Sequence, residues 1–155
     1  MLKNKILSFI LFFIVTFSAS FVGGLVSINL KEPWYSTLIK SNFNPPDWVF
    51  APVWTILYLM MTFAIGNFWH SKNRDMNTIY IYFIHIIINT TWSIVFFALH
   101  KIFLAMLVLI TLIIFIVLLI IRFKPVNLLS YYLMMPYLLW CSYALFLNIN
   151  LVILN

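Results

Sequence analysis

The 155-residue sequence has few charged residues and almost no cysteine. Only 8% of its residues are Asp, Glu, Lys or Arg, whereas 65% are hydrophobic and the mean hydropathy is +1.09. A soluble domain of this length cannot bury so much apolar surface. Cys141 is the single cysteine, which excludes an intramolecular disulfide bond and a metal site built from cysteines. The composition therefore predicts a protein whose solvent is largely lipid.

Acidic residues are the scarcest charged type, and all of them lie in or near predicted loops: Glu32, Asp47 and Asp75. The predicted spans therefore hold no carboxylate that relays protons, as in many pumps, and no acid–base pair for catalysis. His85 is the one histidine inside a predicted span, and a haem held by two histidines needs a second one at matching depth. We expect no catalytic residues and no metal ligands.

Long apolar segments are what the sequence has in abundance. At roughly 20 residues per crossing, the chain holds five of them. The apolar runs are continuous rather than alternating, which excludes a membrane β-barrel. We predict an all-α membrane protein, a five-transmembrane-helix bundle forming a single domain over 1–155 with a long first loop over 29–47. The helices are expected at about 6–28, 49–69, 79–99, 102–121 and 130–153.

The nine basic residues are scattered between these segments, which indicates membrane topology rather than nucleic-acid binding. An amino terminus in the cytoplasm places six on that side: Lys3, Lys5, Lys72, Arg74, Arg122 and Lys124. Three then lie opposite: Lys31, Lys40 and Lys101. The positive-inside rule favours this orientation, with the first loop on the outer face. The alternative is a cleaved signal peptide over 1–20, but the apolar run continues past Ser20 far enough to span the membrane.

Three of the predicted helices each carry a face with aromatic and polar side chains. On the third helix, Asn89, Trp92, Ser93 and Phe96 follow the i, i+3, i+4, i+7 spacing of one face. The corresponding faces of the second and fifth helices hold Trp54, Tyr58, Met61 and Ile65, and Tyr137, Trp140, Ala144, Leu147 and Asn148. One interpretation is hydrogen bonding and packing between helices, and the other is a pocket for a flat, largely apolar ligand.

Position along the helices separates two groups of tryptophans. Trp34 and Trp48 lie near predicted helix ends, where an interfacial aromatic belt explains them. Trp92 and Trp140 lie too deep for that explanation, and a buried indole needs a partner for its N–H or faces a cavity. These two residues therefore favour the pocket. The fourth segment is aliphatic all round and is expected to be a peripheral, lipid-facing helix.

Three stretches resemble the TspO/MBR family of tryptophan-rich sensory proteins, which includes the mitochondrial translocator protein. They are WYSTLIKSNFNPPDWVFAPVWTILY at 34–58, NTTWSIVFF at 89–97 and PYLLWCSYALFLN at 136–148. The resemblance implies a five-helix bundle whose first loop covers a pocket for porphyrins, protoporphyrin IX or haem-like tetrapyrroles, with no obligatory cofactor. The implied ligand contacts are Trp34, Pro45, Trp54, Tyr58, Asn89, Trp92, Phe96, Trp140, Ala144 and Leu147.

The sequence also departs from this family's pattern. Ser41 stands where family members often have proline, and Thr62 replaces a common glycine. No basic residue follows Lys124, so the cholesterol-recognition pattern of mammalian relatives is missing and high-affinity cholesterol binding is not expected. The third helix has no small-xxx-small spacing, which leaves open the homodimer known among bacterial relatives.

The expected function is a tetrapyrrole receptor or sensor in a bacterial cell membrane. The alternatives are a transporter of porphyrins or other apolar solutes, and a protein that degrades porphyrins in light. An odd number of helices without an inverted repeat disfavours the transporter. The missing acid–base pair disfavours the enzyme.

Prolines cluster where the first loop meets the second helix. Pro45 and Pro46 are expected to fix an extended entry, because each ring locks φ and the residue before a proline avoids the helical region. Pro52 belongs either to the first helical turn or one turn further in, where it kinks the helix. Either position sets the direction of Trp54.

Overall fold

The computed structural model describes residues 4–155, most of which are helical. Five helices in this range are long and apolar enough to cross a membrane, which confirms the predicted five-helix bundle. The elements are α1 (Lys5–Leu30), α2 (Trp34–Thr37), α3 (Phe50–Trp69), α4 (Met76–Ser93), α5 (Ile102–Phe123) and α6 (Leu128–Leu154). The membrane helices are α1 and α3 to α6, and α4 continues into a π-helical turn at Ile94–Ala98.

Polar caps begin three of the long helices. The Asn4 side chain accepts hydrogen bonds from two backbone N–H groups of α1. The Asn127 side chain accepts one from the Ser130 backbone N–H at 2.9 Å, and the Asp75 carboxylate accepts one from the Thr78 backbone N–H at 2.8 Å. Such caps satisfy backbone donors that have no partner within the helix. They explain why α4 and α6 begin a few residues earlier than hydropathy alone predicts.

The Asp75 cap also makes the stability of α4 depend on pH. Burial by itself raises the pKa of this carboxyl group, but hydrogen bonds from Thr78 and the charge of Arg122 outweigh burial and lower the pKa. The Arg122 guanidinium lies 3.7 Å from the Asp75 carboxylate. Because the folded-state pKa is lowered, the carboxylate stabilises α4 above its ordinary pKa, and this stabilisation is lost as the pH falls through the lowered value.

The five long helices form a closed ring. Helix α1 packs against α3 and α4, α3 packs against α6, and α5 lies between α4 and α6. Side chains of all five helices meet in one buried apolar core. Hydrogen bonds fasten neighbouring helices within it: the Thr16 and Tyr82 hydroxyls lie 2.6 Å apart, and the Ser130 hydroxyl donates to the Ala64 carbonyl at 2.7 Å.

Helix α5 has one buried face and one exposed face. The buried face packs between its neighbours and is aliphatic apart from one alanine and one phenylalanine: Ala105, Leu109, Leu112, Ile116, Leu119, Ile120 and Phe123. Phe103, Ile114 and Ile121 are more than half exposed on the outside, as expected for side chains that contact lipid. Within residues 4–155, no α5 side chain lines the cavity between α1, α3, α4 and α6.

The loop between α1 and α3 contains the short helix α2 and a single 3-10 turn at Asp47–Val49. Pro46 has φ −57° and ψ 143°, an extended conformation, as predicted for this entry. Because α3 begins at Phe50, Pro52 belongs to its first turn, where a missing N–H costs little. This position settles the two alternatives for Pro52.

Candidate ligand-binding cavity

A cavity of about 350 Å³ lies between α1, α3, α4 and α6, at the end of the bundle that carries the first loop. This volume falls within the usual range for small-molecule sites. Its lining includes most of the aromatic and polar face residues that the sequence singles out. At one end it is bordered by Lys31 and by Asp47, whose side chain is 60% exposed, so the cavity reaches the surface there.

Aromatic rings line the walls of this cavity in two stacked pairs. On α3, the rings of Trp54 and Tyr58 stack with centroids 5.5 Å apart and planes at 29°. On α4 and its π-helical extension, Trp92 and Phe96 stack with centroids 5.3 Å apart and planes at 15°. Trp140 of α6 also lines the cavity and meets the Phe50 ring edge to face. Such walls offer apolar contact and stacking to a flat ring system.

A buried chain of hydrogen bonds runs inward from the cavity wall. The Tyr58 hydroxyl donates to Asn89 Oδ1 at 2.7 Å, and Asn89 Nδ2 donates to the Tyr137 hydroxyl at 2.8 Å. The Tyr137 hydroxyl lies 2.9 Å from His85 Nε2, and the tautomer of the His85 ring determines which of the two groups donates. The chain joins α3, α4 and α6. Asn89 thus has an interhelical role in addition to facing the cavity.

The first loop is fastened over the cavity mouth by charged and aromatic contacts. Lys31, at the end of α1, forms an ion pair with Asp47, which precedes α3. The Lys31 and Lys40 ammonium groups lie 4.7 and 4.3 Å from the centre of the Tyr35 ring, within cation–π range. Burial raises the pKa of Tyr35, and Asn44 Nδ2 donates to its hydroxyl at 3.3 Å. The Tyr35 side chain is therefore uncharged, and Lys31, Lys40 and Asn44 all contact it.

The carboxyl end of α6 holds the same loop from the other side. The Asn155 side chain accepts from the Ile39 backbone N–H at 3.0 Å and donates to its carbonyl at 3.1 Å. The Tyr143 hydroxyl donates to the Phe43 carbonyl at 2.6 Å. These contacts place the loop next to α6 as well as α1.

Eight of the ten predicted ligand contacts line the cavity: Trp54, Tyr58, Asn89, Trp92, Phe96, Trp140, Ala144 and Leu147. Trp34 and Pro45 are not among its lining residues. The Trp34 ring instead stacks on His100, with centroids 4.3 Å apart, and meets Phe96 edge to face. Pro45 lies in the extended entry to α3. Contact between any of these ten residues and a ligand stays a prediction.

The cavity wall that α1 contributes was not predicted from the sequence. Ser20, Gly23, Gly24 and Ser27 line the cavity, and their i, i+3, i+4, i+7 spacing marks one helix face. The sequence signal was present, but small residues are more readily interpreted as helix-packing positions. A Cβ at Gly23 would lie only 2.9 Å from Ser93 Oγ, so glycine permits the close approach of α1 to α4.

Lys31, Tyr35, Asp47, Ser93 and Asn148 also line the cavity and were not predicted as ligand contacts. As for metals, residues 4–155 contain no group of three or more His, Cys, Asp or Glu side chains placed to hold an ion. The geometry suits a ligand bound by ring contacts and hydrogen bonds.

Comparison with known proteins gives a consistent relationship over nearly the whole chain. The model of the TspO/MBR family matches residues 10–154. "Tryptophan-rich protein TspO" of Chlorobaculum tepidum is 33% identical, with 99% of each chain covered. "Protein CrtK" of Rhodobacter capsulatus is 28% identical over 95% of this chain and 92% of that protein. "Tryptophan-rich sensory protein" of Cereibacter sphaeroides is 30% identical over 80% and 78%.

Proposed function

The chain belongs to the TspO/MBR family, and we propose that it is a membrane receptor or sensor that binds tetrapyrroles in the aromatic cavity. It is a multi-pass membrane protein with five apolar helices. The similarity to a protein named for a sensory role supports sensing. Protoporphyrin IX and haem-like tetrapyrroles are the ligand class that we propose.

One observation supports this proposal more than any other: the stacked ring pairs of α3 and α4 line a single cavity. A tetrapyrrole is a flat and largely apolar ring system, which binds by burial of its faces against aromatic side chains. The cavity reaches the surface beside Lys31, a cation suited to a ligand carboxylate. The ligand would therefore enter from the loop end.

We propose further that this end faces outward and that the amino terminus is cytoplasmic. His100 lies beside the loop end, with its Nε2 3.3 Å from the Leu30 carbonyl, so Lys101 belongs to the same end as Lys31. The opposite end carries Arg122 beside Asp75. The excess of basic residues at that opposite end supports this orientation in a bacterial cell membrane.

The test is a titration of the purified protein with protoporphyrin IX, followed by tryptophan fluorescence and porphyrin absorbance. Trp54→Ala and Trp140→Ala each remove a ring from the cavity wall and are expected to weaken binding about tenfold. The matched control is Trp48→Ala, because Trp48 is 75% exposed and lies outside the cavity lining. Binding that survives both cavity substitutions unchanged would refute the proposed pocket.

A further inference from the structure

Two cavity-lining side chains have buried hydrogen-bonding atoms without partners. They are Trp92, through Nε1, and Asn148, through both Nδ2 and Oδ1. Asn148 is only 2% exposed, and neither end of its amide is bonded, so turning the amide over does not change this result. Buried amides and indoles inside a membrane protein are normally hydrogen-bonded.

Asn89 of the same cavity is the internal comparison. Its amide oxygen and nitrogen are both engaged, by Tyr58 and Tyr137 respectively. The amide of Asn148 has the same chemistry and nearly the same burial, yet it has no such partners. Asn89 therefore stabilises the helix bundle, whereas the amide of Asn148 is free to bind something inside the cavity.

The unpaired atoms define the chemistry of what would bind them. Trp92 Nε1 and Asn148 Nδ2 donate and so require an acceptor, while Asn148 Oδ1 requires a donor. Among the described lining residues, the charged side chains are Lys31 and Asp47, and these pair with each other. Because they are paired, this lining offers no free charge that would favour an ionised group beside Asn148. A neutral group that both donates and accepts fits these atoms.

We propose that Asn148 and Trp92 form a hydrogen-bonding subsite for a neutral donor–acceptor group on the ligand, such as a carboxamide or an un-ionised carboxylic acid. The inference rests on the proposed function, because the ring system carrying this group occupies the aromatic cavity. Asn148 and Trp92 then determine specificity, whereas the stacked rings supply affinity for any flat apolar ligand.

The experiment compares two uncharged probes, the dimethyl ester and the primary diamide of protoporphyrin IX. Both lack carboxylates, so the charge of Lys31 does not separate them, and only the diamide donates hydrogen bonds from its side-chain ends. We expect the wild-type protein to bind the diamide about tenfold more tightly than the diester. Asn148→Leu is expected to reduce this preference to about twofold or less, because Asn148 Oδ1 is the acceptor for the amide N–H. Trp92→Phe keeps a ring but deletes an N–H that can donate to the carbonyl of either probe, so it is expected to weaken binding of both by about threefold.

Stability provides a second measurement on the same variants. Because Asn148→Leu removes unpaired buried polar atoms, it is expected to maintain or raise the thermal unfolding temperature while it lowers diamide binding. The matched control is Asn150→Leu on the same helix. The Asn150 amide donates to the Phe146 carbonyl at 2.8 Å and lies outside the cavity lining, so the diamide preference should persist.

The outcomes separate this inference from the proposed function. Tight binding of both probes with no preference for the diamide overturns the subsite and leaves tetrapyrrole binding intact. A preference that persists in Asn148→Leu, or binding of both probes that is unchanged in Trp92→Phe, does the same, because water or another group then satisfies these atoms. Failure of the wild-type protein to bind protoporphyrin IX or either derivative overturns both proposals.

Discussion

Two asparagines that line the same cavity differ in the hydrogen bonding of their side chains. Asn89 exchanges hydrogen bonds with two tyrosines, while Asn148 has none. Helical spacing placed both residues on inward faces, and family resemblance pointed to Asn89 as a ligand contact. The sequence could not predict which of the two is hydrogen-bonded to other side chains, because the partner of a side chain depends on which helix lies opposite. At the residue scale, the face was predictable and the bonding was not.

Two glycines give a prediction about packing at single positions. A Cβ at Gly66 would overlap the Phe9 ring, which stacks on His70, whereas a Cβ at Gly24 meets no atom within 4 Å. We expect Gly66→Ala to lower the free energy of unfolding by about 1–3 kcal/mol, since the ring must move. Gly24→Ala should raise it by up to about 1 kcal/mol, because alanine favours helix.

Thermal unfolding of both glycine variants in one detergent, followed by circular dichroism, measures the difference. The two substitutions add the same methyl group to helix interiors, so each controls for the other. Equal shifts in the unfolding temperature would contradict the close contact between Phe9 and Gly66.

At the scale of elements, the first loop is fixed to three helices. Lys31 connects the end of α1 to Asp47 before α3, and Asn155 connects α6 to the loop at Ile39. The prolines predicted the extended entry to α3, and resemblance implied that the loop covers a pocket. The ion pair and the hydrogen bonds that hold the loop were not predictable, because the residues that form them lie far apart along the chain. Lys31 and Asp47 also border the cavity mouth, so the Asp47 carboxylate would compete with a ligand carboxylate for the Lys31 ammonium group.

Asp47→Asn tests that competition. The substitution releases the Lys31 ammonium group, so a ligand carboxylate can take the place of Asp47. We expect the affinity for protoporphyrin IX to rise about threefold to tenfold, and the affinity for its uncharged dimethyl ester to change less than twofold. Fluorescence titration of both compounds at low salt gives the two values.

The matched control for Asp47→Asn is Asp75→Asn, which removes the same charge at the opposite end of the bundle, where Asp75 caps α4. This variant should leave both affinities unchanged. If Asp47→Asn raised the affinities for protoporphyrin IX and for its dimethyl ester equally, the loop would have opened. That result would rule out replacement of Asp47 by a ligand carboxylate on Lys31.

At the scale of the whole molecule, hydropathy predicted the five membrane helices, and the structure confirms them. The closed order of the helices was not predicted, because amphipathic faces show what is buried and not against which neighbour. This explains why the cavity wall on α1 was missed. Gly23 and Gly24 have no side chains that would indicate a binding site, yet both line the cavity, and Gly23 permits the close approach of α1 to Ser93.

A tetrapyrrole that occupies the cavity between α1, α3, α4 and α6, as we propose, would be excluded by a bulky side chain placed there. Ala144→Phe puts a ring into this space from α6, and Leu118→Phe puts the same ring on the exposed face of α5 as a control. The most direct measurement is the dissociation constant of protoporphyrin IX for both variants and the wild-type protein. We expect at least about tenfold weaker binding for Ala144→Phe and unchanged binding for Leu118→Phe. Wild-type affinity in a correctly folded Ala144→Phe protein would show that the tetrapyrrole does not occupy this cavity.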